Sequence, residues 1–286
     1  MRKPNDGGEE EQWRSVLEVL QIVLQYLPSV YEVLSMSRLC QSLRNSIRHE
    51  TALWANIVVD APLSPRLSDE ILSDITSRAA GKLTTLILRQ CPRITDEGLR
   101  RVVDANPLIT TMIVKGCTGL TPEGIVIAVQ ILTKNNHKLE TLHVDGIYGF
   151  TKDHLSVIRS YLPPSAIDVD VCPKCDQVRM IPPCSRQSCM EQRKDRGCKG
   201  CRFCIQRCVE CGVCVVGSDA EVEETVCGDV LCLDCWLLLL PKCSFCNKPY
   251  CSSHQQLAPT AMADQSLFVC EACQLAPSAM YDDFEW

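Results

Sequence analysis

From Trp13 onward the apolar positions Val16, Val19, Leu20, Val23, Leu24 and Leu27 recur at three- and four-residue steps, which predicts a helix with one apolar face. Pro28 ends it. Ser29, followed three places later by Glu32, has the form of a capping box, and Val33, Leu34, Met36, Leu39, Cys40 and Leu43 supply a second helical face. Residues 13–60 thus read as short helices, and a segment of roughly 45 residues buries too little to use all this apolar surface by itself. The surplus points to an interface or a neighbouring domain.

Further along, the pattern turns periodic. The segments RLSDEIL, RITDEGL, GLTPEGI and GFTKDHL each place a Ser or Thr between apolar residues, predicting N-caps at Ser68, Thr95, Thr121 and Thr151. Hydrophobic staples close over them: Leu67 with Leu72, Ile94 with Leu99, Leu120 with Ile125, and Phe150 with Leu155. Alternating runs ending at Leu88, Val114 and Val144 precede the last three caps and predict strands, and the caps recur at spacings of 27, 26 and 30 residues. Cys91 and Cys117 fall at equivalent repeat positions and are expected to be stacked inward as small hydrophobes. His137, His143 and His154 have no nucleophile or paired carboxylate beside them and read as packing or polar residues.

Composition changes the picture only modestly. The net charge of -6 gives no global signature of nucleic-acid or membrane binding. The opening MRKPNDGGEEEQ lacks the apolar stretch of a secretory signal, and the longest apolar run is far shorter than a membrane span, so a soluble chain of the nucleus or cytoplasm is expected.

Cysteine changes it greatly. Of 21 cysteines, 18 lie between Cys172 and Cys273, a density that disulfides would not sustain in a reducing compartment, which leaves metal ligation. The candidate ligands are Cys172, Cys175, Cys184, Cys189, Cys198, Cys201, Cys204, Cys208, Cys211, Cys214, Cys227, Cys232, Cys235, Cys243, Cys246, Cys251, His254, Cys270 and Cys273. Pairs two residues apart offer both sulfurs to one tetrahedral zinc, and nineteen donors suffice for about four ions with three left over. The last four pairs, 232/235, 243/246, 251/254 and 270/273, approach a cross-braced PHD-type order, in which first joins third and second joins fourth. In a rival register, Cys211, Cys214 and Cys227 recruit 232/235 into a ribbon. Cys198, Cys201, Cys204 and Cys208 also have the spacing of a ferredoxin iron–sulfur loop, although Val209 stands where proline is usual and no second copy follows. The basic residues Arg193, Lys194, Arg196, Lys199, Arg202 and Arg207 are accounted for by the negative charge of thiolate centres, and nearby aromatics are too few to support base stacking.

Three resemblances follow from these residues. The apolar helix, Leu27-Pro28 turn, Leu39-Cys40, Leu43-Arg44 and closing Leu53-Trp54 resemble the F-box, although the usual opening Leu-Pro falls on Ser15-Val16. The strand–helix period resembles the cysteine-containing leucine-rich repeat. With the CPKC, CRFC-x3-CVEC and LCLDCW segments, the whole resembles plant F-box proteins of the Skp-interacting-partner type. That likeness implies an α+β multidomain chain: a disordered tail at 1–12, F-box helices at 13–60, four short repeats at 53–171, a multi-zinc domain at 172–273 and an acidic, aromatic tail at 274–286.

It also implies a non-catalytic substrate receptor of an SCF ubiquitin ligase. Such a receptor would meet a Skp adaptor, and through it cullin, by Val19, Leu20, Val23, Leu24, Leu27, Leu34, Leu39 and Trp54, while an unknown protein substrate binds the repeats or the zinc domain. The rival readings are a zinc-finger ubiquitin ligase acting without cullin and an iron–sulfur regulatory protein.

Overall fold

The structure, a computed structural model, describes residues 19, 22–24, 26–134, 138–187, 189, 197–215, 222–257 and 268–275. The chain divides into two compact units, the first running to Val171 and including Gln177–Arg179, the second formed by Cys172–Asp176 and the chain from Met180 onward. Among the described residues no helix is long and apolar enough to cross a membrane.

The first unit begins with helical backbone at 19 and 22–24, followed by α1 (Val30–Met36) and α2 (Gln41–His49). The expected capping box is not formed, because the Ser29 hydroxyl bonds the Glu32 carboxylate and not a backbone N–H. The second helical face is also broken in two. The Ser35 and Ser37 hydroxyls donate back to the carbonyls of Tyr31 and Leu34, at 2.7 and 2.6 Å, a competition that loosens a helix end. Cys40 is extended and caps α2, its Sγ accepting from Leu43 N–H at 3.4 Å.

Beyond the 3-10 turn Thr51–Trp54, strands and helices alternate: β1 (Asn56–Val59), α3 (Asp69–Ser77), β2 (Thr85–Leu88), α4 (Asp96–Ala105), β3 (Thr111–Ile113), α5 (Pro122–Thr133), β4 (Thr141–His143) and α6 (Lys152–Tyr161). The four strands form one parallel sheet in chain order, with Leu86 opposite Ile57 and Met112, and Met112 opposite Leu142. These four side chains are buried in a single core that also takes Trp54, Cys91 and Cys117. The mixed α/β character and the parallel sheet are therefore as expected.

All four predicted N-caps are present: Ser68, Thr95, Thr121 and Thr151 accept from the N–H groups of Ile71, Gly98, Gly124 and His154. A further device links successive helices. The Asp69 carboxylate accepts from Thr95 N–H and hydroxyl at 2.9 and 2.6 Å, and Asp96 does the same for Thr121 at the same distances. Beyond β4 the sheet ends on Asp168, which accepts from the N–H groups of Val144 and Asp145 at 2.8 and 3.3 Å.

β5 (Val169–Val171) and β6 (Val178–Met180) form a two-stranded sheet. In the second unit, β7 (Val222–Glu224) pairs antiparallel with β8 (Val230–Cys232), which leads into α7 (Leu233–Leu238). A 3-10 turn at Ser252–Leu257 and the short α8 (Glu271–Leu275) complete it. Its packed apolar clusters are small, Cys184, Cys198, Ile205 and Cys214 in one and Cys243, Tyr250, Phe268 and Cys270 in another, in contrast to the continuous aliphatic core of the first unit.

Candidate metal centres and docking face

The second unit is organised by a turn that recurs three times. In Cys172-x2-Cys175, Cys208-x2-Cys211 and Cys243-x2-Cys246, the residue after the second cysteine is Asp176, Gly212 or Asn247, with φ of 59, 73 and 57°. Each donates its N–H to the carbonyl of the first cysteine at 2.8–2.9 Å. Asp, Asn and Gly are the residues that accept this left-handed backbone, so the local sequence sets the knuckle.

Opposite each knuckle stands a second pair at a short helical turn. Cys201 and Cys204 join Cys172 and Cys175; Cys232 and Cys235, at the start of α7, join Cys208 and Cys211; Cys270, just before α8, and Cys273, within it, join Cys243 and Cys246. A fourth group, Cys184, Cys189, Cys198 and Cys214, contains no pair spaced by two residues. In every group the donor atoms lie within 4.8 Å of one another.

The 21 cysteines are free thiols. The separations fit an ion between them and not a covalent bond. Cys175–Cys201, Cys189–Cys214, Cys211–Cys232 and Cys246–Cys270 have Sγ–Sγ distances of 3.9, 3.7, 3.6 and 3.8 Å. Tetrahedral zinc with bonds of about 2.3 Å requires sulfurs about 3.8 Å apart, whereas a disulfide requires about 2.05 Å.

Electrostatics point the same way. Burial pushes the Cys172 thiol up, but N–H donors from Cys201, Lys174 and Cys175 outweigh it and bring it down to about 6. Cys243 and Cys184 are likewise lowered to about 6, and Cys208 to about 7, by amide donors acting against burial. Burial and then neighbouring thiols push Cys204 and Cys189 up to about 12, and the Cys270 thiol leads in doing so for Cys273. Each all-cysteine group is thus prepared for thiolate yet cannot ionise fully without a cation to offset the crowded charge.

This pairing revises the sequence reading in three places. The join of 243/246 with 270/273 was expected, but 232/235 pairs with 208/211 and not with 251/254. The ferredoxin-spaced cysteines are distributed over three groups, Cys198 in one, Cys201 and Cys204 in another and Cys208 in a third, so they do not converge on one cluster. The four all-cysteine groups take sixteen of the nineteen candidate donors, and the remaining three, Cys227, Cys251 and His254, come together with Asp229, which is not among those candidates. Only the fold brings Cys227-x-Asp229 opposite Cys251-x2-His254.

The proposed adaptor residues separate by exposure. Val19 is 56% exposed, Ile22 and Val23 are exposed in the helical backbone at 22–24, and Tyr26, in the turn that follows, is exposed as well. Leu39 is also exposed, and Leu27 and Leu34 pack partly buried on the core. Leu24 and Trp54, at 2% and 1%, belong to the core, where Trp54 donates its indole N–H to the Ile47 carbonyl at 3.0 Å. They shape the first unit and present no surface to a partner. Leu20 lies outside the described residues.

Comparison with known proteins assigns the class. The profile of the At3g27290 F-box protein C-terminal domain matches residues 168–245, a span containing every ligand of three of the four all-cysteine groups. The chain belongs to the F-box protein family. Within it the type is the SKIP proteins of plants: it is 61% identical over 279 residues to F-box protein SKIP28 of Arabidopsis thaliana, covering 96% of this chain and 95% of that protein. It is 32% identical over 233 residues to F-box protein SKIP14 and 29% over 250 residues to F-box protein At3g27290, both of the same plant. These matches cover 71% and 76% of this chain but only 51% and 64% of the relatives.

Proposed function

We propose that this protein is the substrate-recognition subunit of an SCF-type ubiquitin ligase, acting in the nucleus or cytoplasm. The reading is carried by the exposed apolar residues Val19, Ile22, Val23 and Tyr26 in the segment that resembles the F-box. A Skp-type adaptor covers these residues and links the chain to cullin. The chain itself performs no chemistry; it holds a target near a ubiquitin-charged enzyme and so raises the effective concentration of the reacting groups.

In this reading residues 53–171 are short leucine-rich repeats and residues 172–273 a zinc-built module, either of which can present the substrate surface. The four all-cysteine groups hold zinc, whose role is structural because all four positions around each ion are filled by protein sulfur.

The test is capture of recombinant Skp adaptor by the full chain. The wild type binds, Val19→Asp and Val23→Asp weaken binding at least tenfold without lowering the thermal midpoint, and absence of binding by the wild type ends the receptor reading.

A further inference from the structure

We propose that the second unit holds a fifth divalent ion, a zinc bound by Cys227, Asp229, Cys251 and His254. This site rests on reading the four-thiol groups as zinc centres, but it has a different donor set and fails separately. Its four donor atoms lie within 4.8 Å of one another. Cys251 Sγ is 2.9 Å from His254 Nδ1 and 3.2 Å from Asp229 Oδ2, and His254 Nδ1 is 3.4 Å from the same carboxylate oxygen. Tetrahedral zinc with ligand bonds of about 2.0–2.3 Å sets mixed edges of about 3.3–3.6 Å, so the His254–Asp229 separation fits as it stands and the two Cys251 separations lengthen by a few tenths of an ångström when the ion enters.

Both halves of the site are held by contacts outside it. Cys227 and Asp229 lie on the turn between β7 and β8, where Thr225, almost fully buried, donates its N–H to the Asp229 carbonyl and accepts from Asp229 N–H through its hydroxyl, each at 2.9 Å. Gly228 has φ of 78° with open space where a β-carbon would stand, so the turn needs glycine for its backbone alone. Cys251 is fully buried, and His254 donates its N–H to the Cys251 carbonyl at 2.9 Å. Between them Ser252 is clamped by Glu210, which accepts from its N–H and hydroxyl at 2.7 Å each and sits beside Cys211 in the neighbouring knuckle.

The order along the chain gives a second argument. The pairs run 227/229, 243/246, 251/254 and 270/273, the first converging with the third and the second with the fourth. The cross-braced arrangement expected from the sequence therefore exists, displaced so that Cys227 and Asp229 take the place assigned to Cys232 and Cys235. A surface Asp–His pair alone would not need two thiols converging on it, one of them fully buried. Two thiolates and a carboxylate leave one net negative charge around a zinc ion, against two for four thiolates, so this ion is the less tightly held of the five.

Native mass spectrometry of the full chain expressed with added zinc tests the assignment. Five ions are expected in the wild type, four in the Asp229→Ala, His254→Ala double variant, and loss of one ion before the other four when chelator is titrated in. If the variant does not fold, the wild-type count decides by itself, with the cobalt-substituted chain required to show one ligand-field component lacking a full thiolate set. Four ions in the wild type, or five retained in the variant, would overturn the fifth site and leave the thiol centres standing. No ions at all would end both.

Discussion

The Asp96 carboxylate grips Thr121 at two points, its backbone N–H and its hydroxyl, and so ties the start of one helix to the cap of the next. Gly124 is the residue that leaves room for it: a β-carbon there would fall 2.0 Å from Asp96 Oδ1. Asp69, Thr95 and Gly98 repeat the arrangement one step earlier.

Gly124→Ala is therefore expected to destabilise the first unit, although alanine is ordinarily the better helix former. The added carbon drives out the carboxylate and sacrifices bonds to a charged acceptor worth about 1.5–3 kcal/mol each. Asp96→Ala in the same chain removes the clash and makes the glycine substitution close to neutral. Denaturant unfolding of the single and double variants measures the coupling.

Asp168 terminates the sheet in the same manner. With Asp168→Ala the N–H groups of Val144 and Asp145 lose their acceptor. The unmet bonds cost about 1–3 kcal/mol. Hydrogen exchange at those two amides is expected to accelerate by about tenfold or more. Asp168→Asn keeps an acceptor and is expected to change exchange less.

Trp54 separates fold from docking. It fills the core, bonds Ile47, and has the Arg78 guanidinium 4.9 Å from its ring centroid. Trp54→Ala should cost about 3–5 kcal/mol and lower the thermal midpoint together with adaptor binding. Val23→Asp should lower binding alone, and a fall in midpoint equal to that of Trp54→Ala would place Val23 in the core instead.

The contrast between Trp54 and Val23 indicates what could be read from the chain. N-caps were legible because the hydroxyl, the receiving N–H and the staple all lie within a few residues. The Asp96–Thr121 link was not, because its partners are 25 residues apart and meet only once the sheet has set the stacking of the helices. Cysteines two residues apart announced knuckles, yet Cys184, Cys189, Cys198 and Cys214 converge with no such local spacing. Helical period marked an apolar face from Val16 to Leu27, but it could not decide that Leu24 turns inward while Val19 and Val23 remain outside. Asp229 went unread because one carboxylate among cysteines carries no period.

The proposed ions take the part of a core in the second unit; in zinc-finger peptides one structural zinc contributes about 10–16 kcal/mol of apparent binding energy to folding. Hydrogen-exchange mass spectrometry of the full chain, before and after metal removal by a strong chelator under reducing conditions, tests this most directly. Protection should vanish across residues 172–273 and persist across the strands and helices between Asn56 and Tyr161. Retention of protection around the knuckles in chain shown to be metal-free would contradict it.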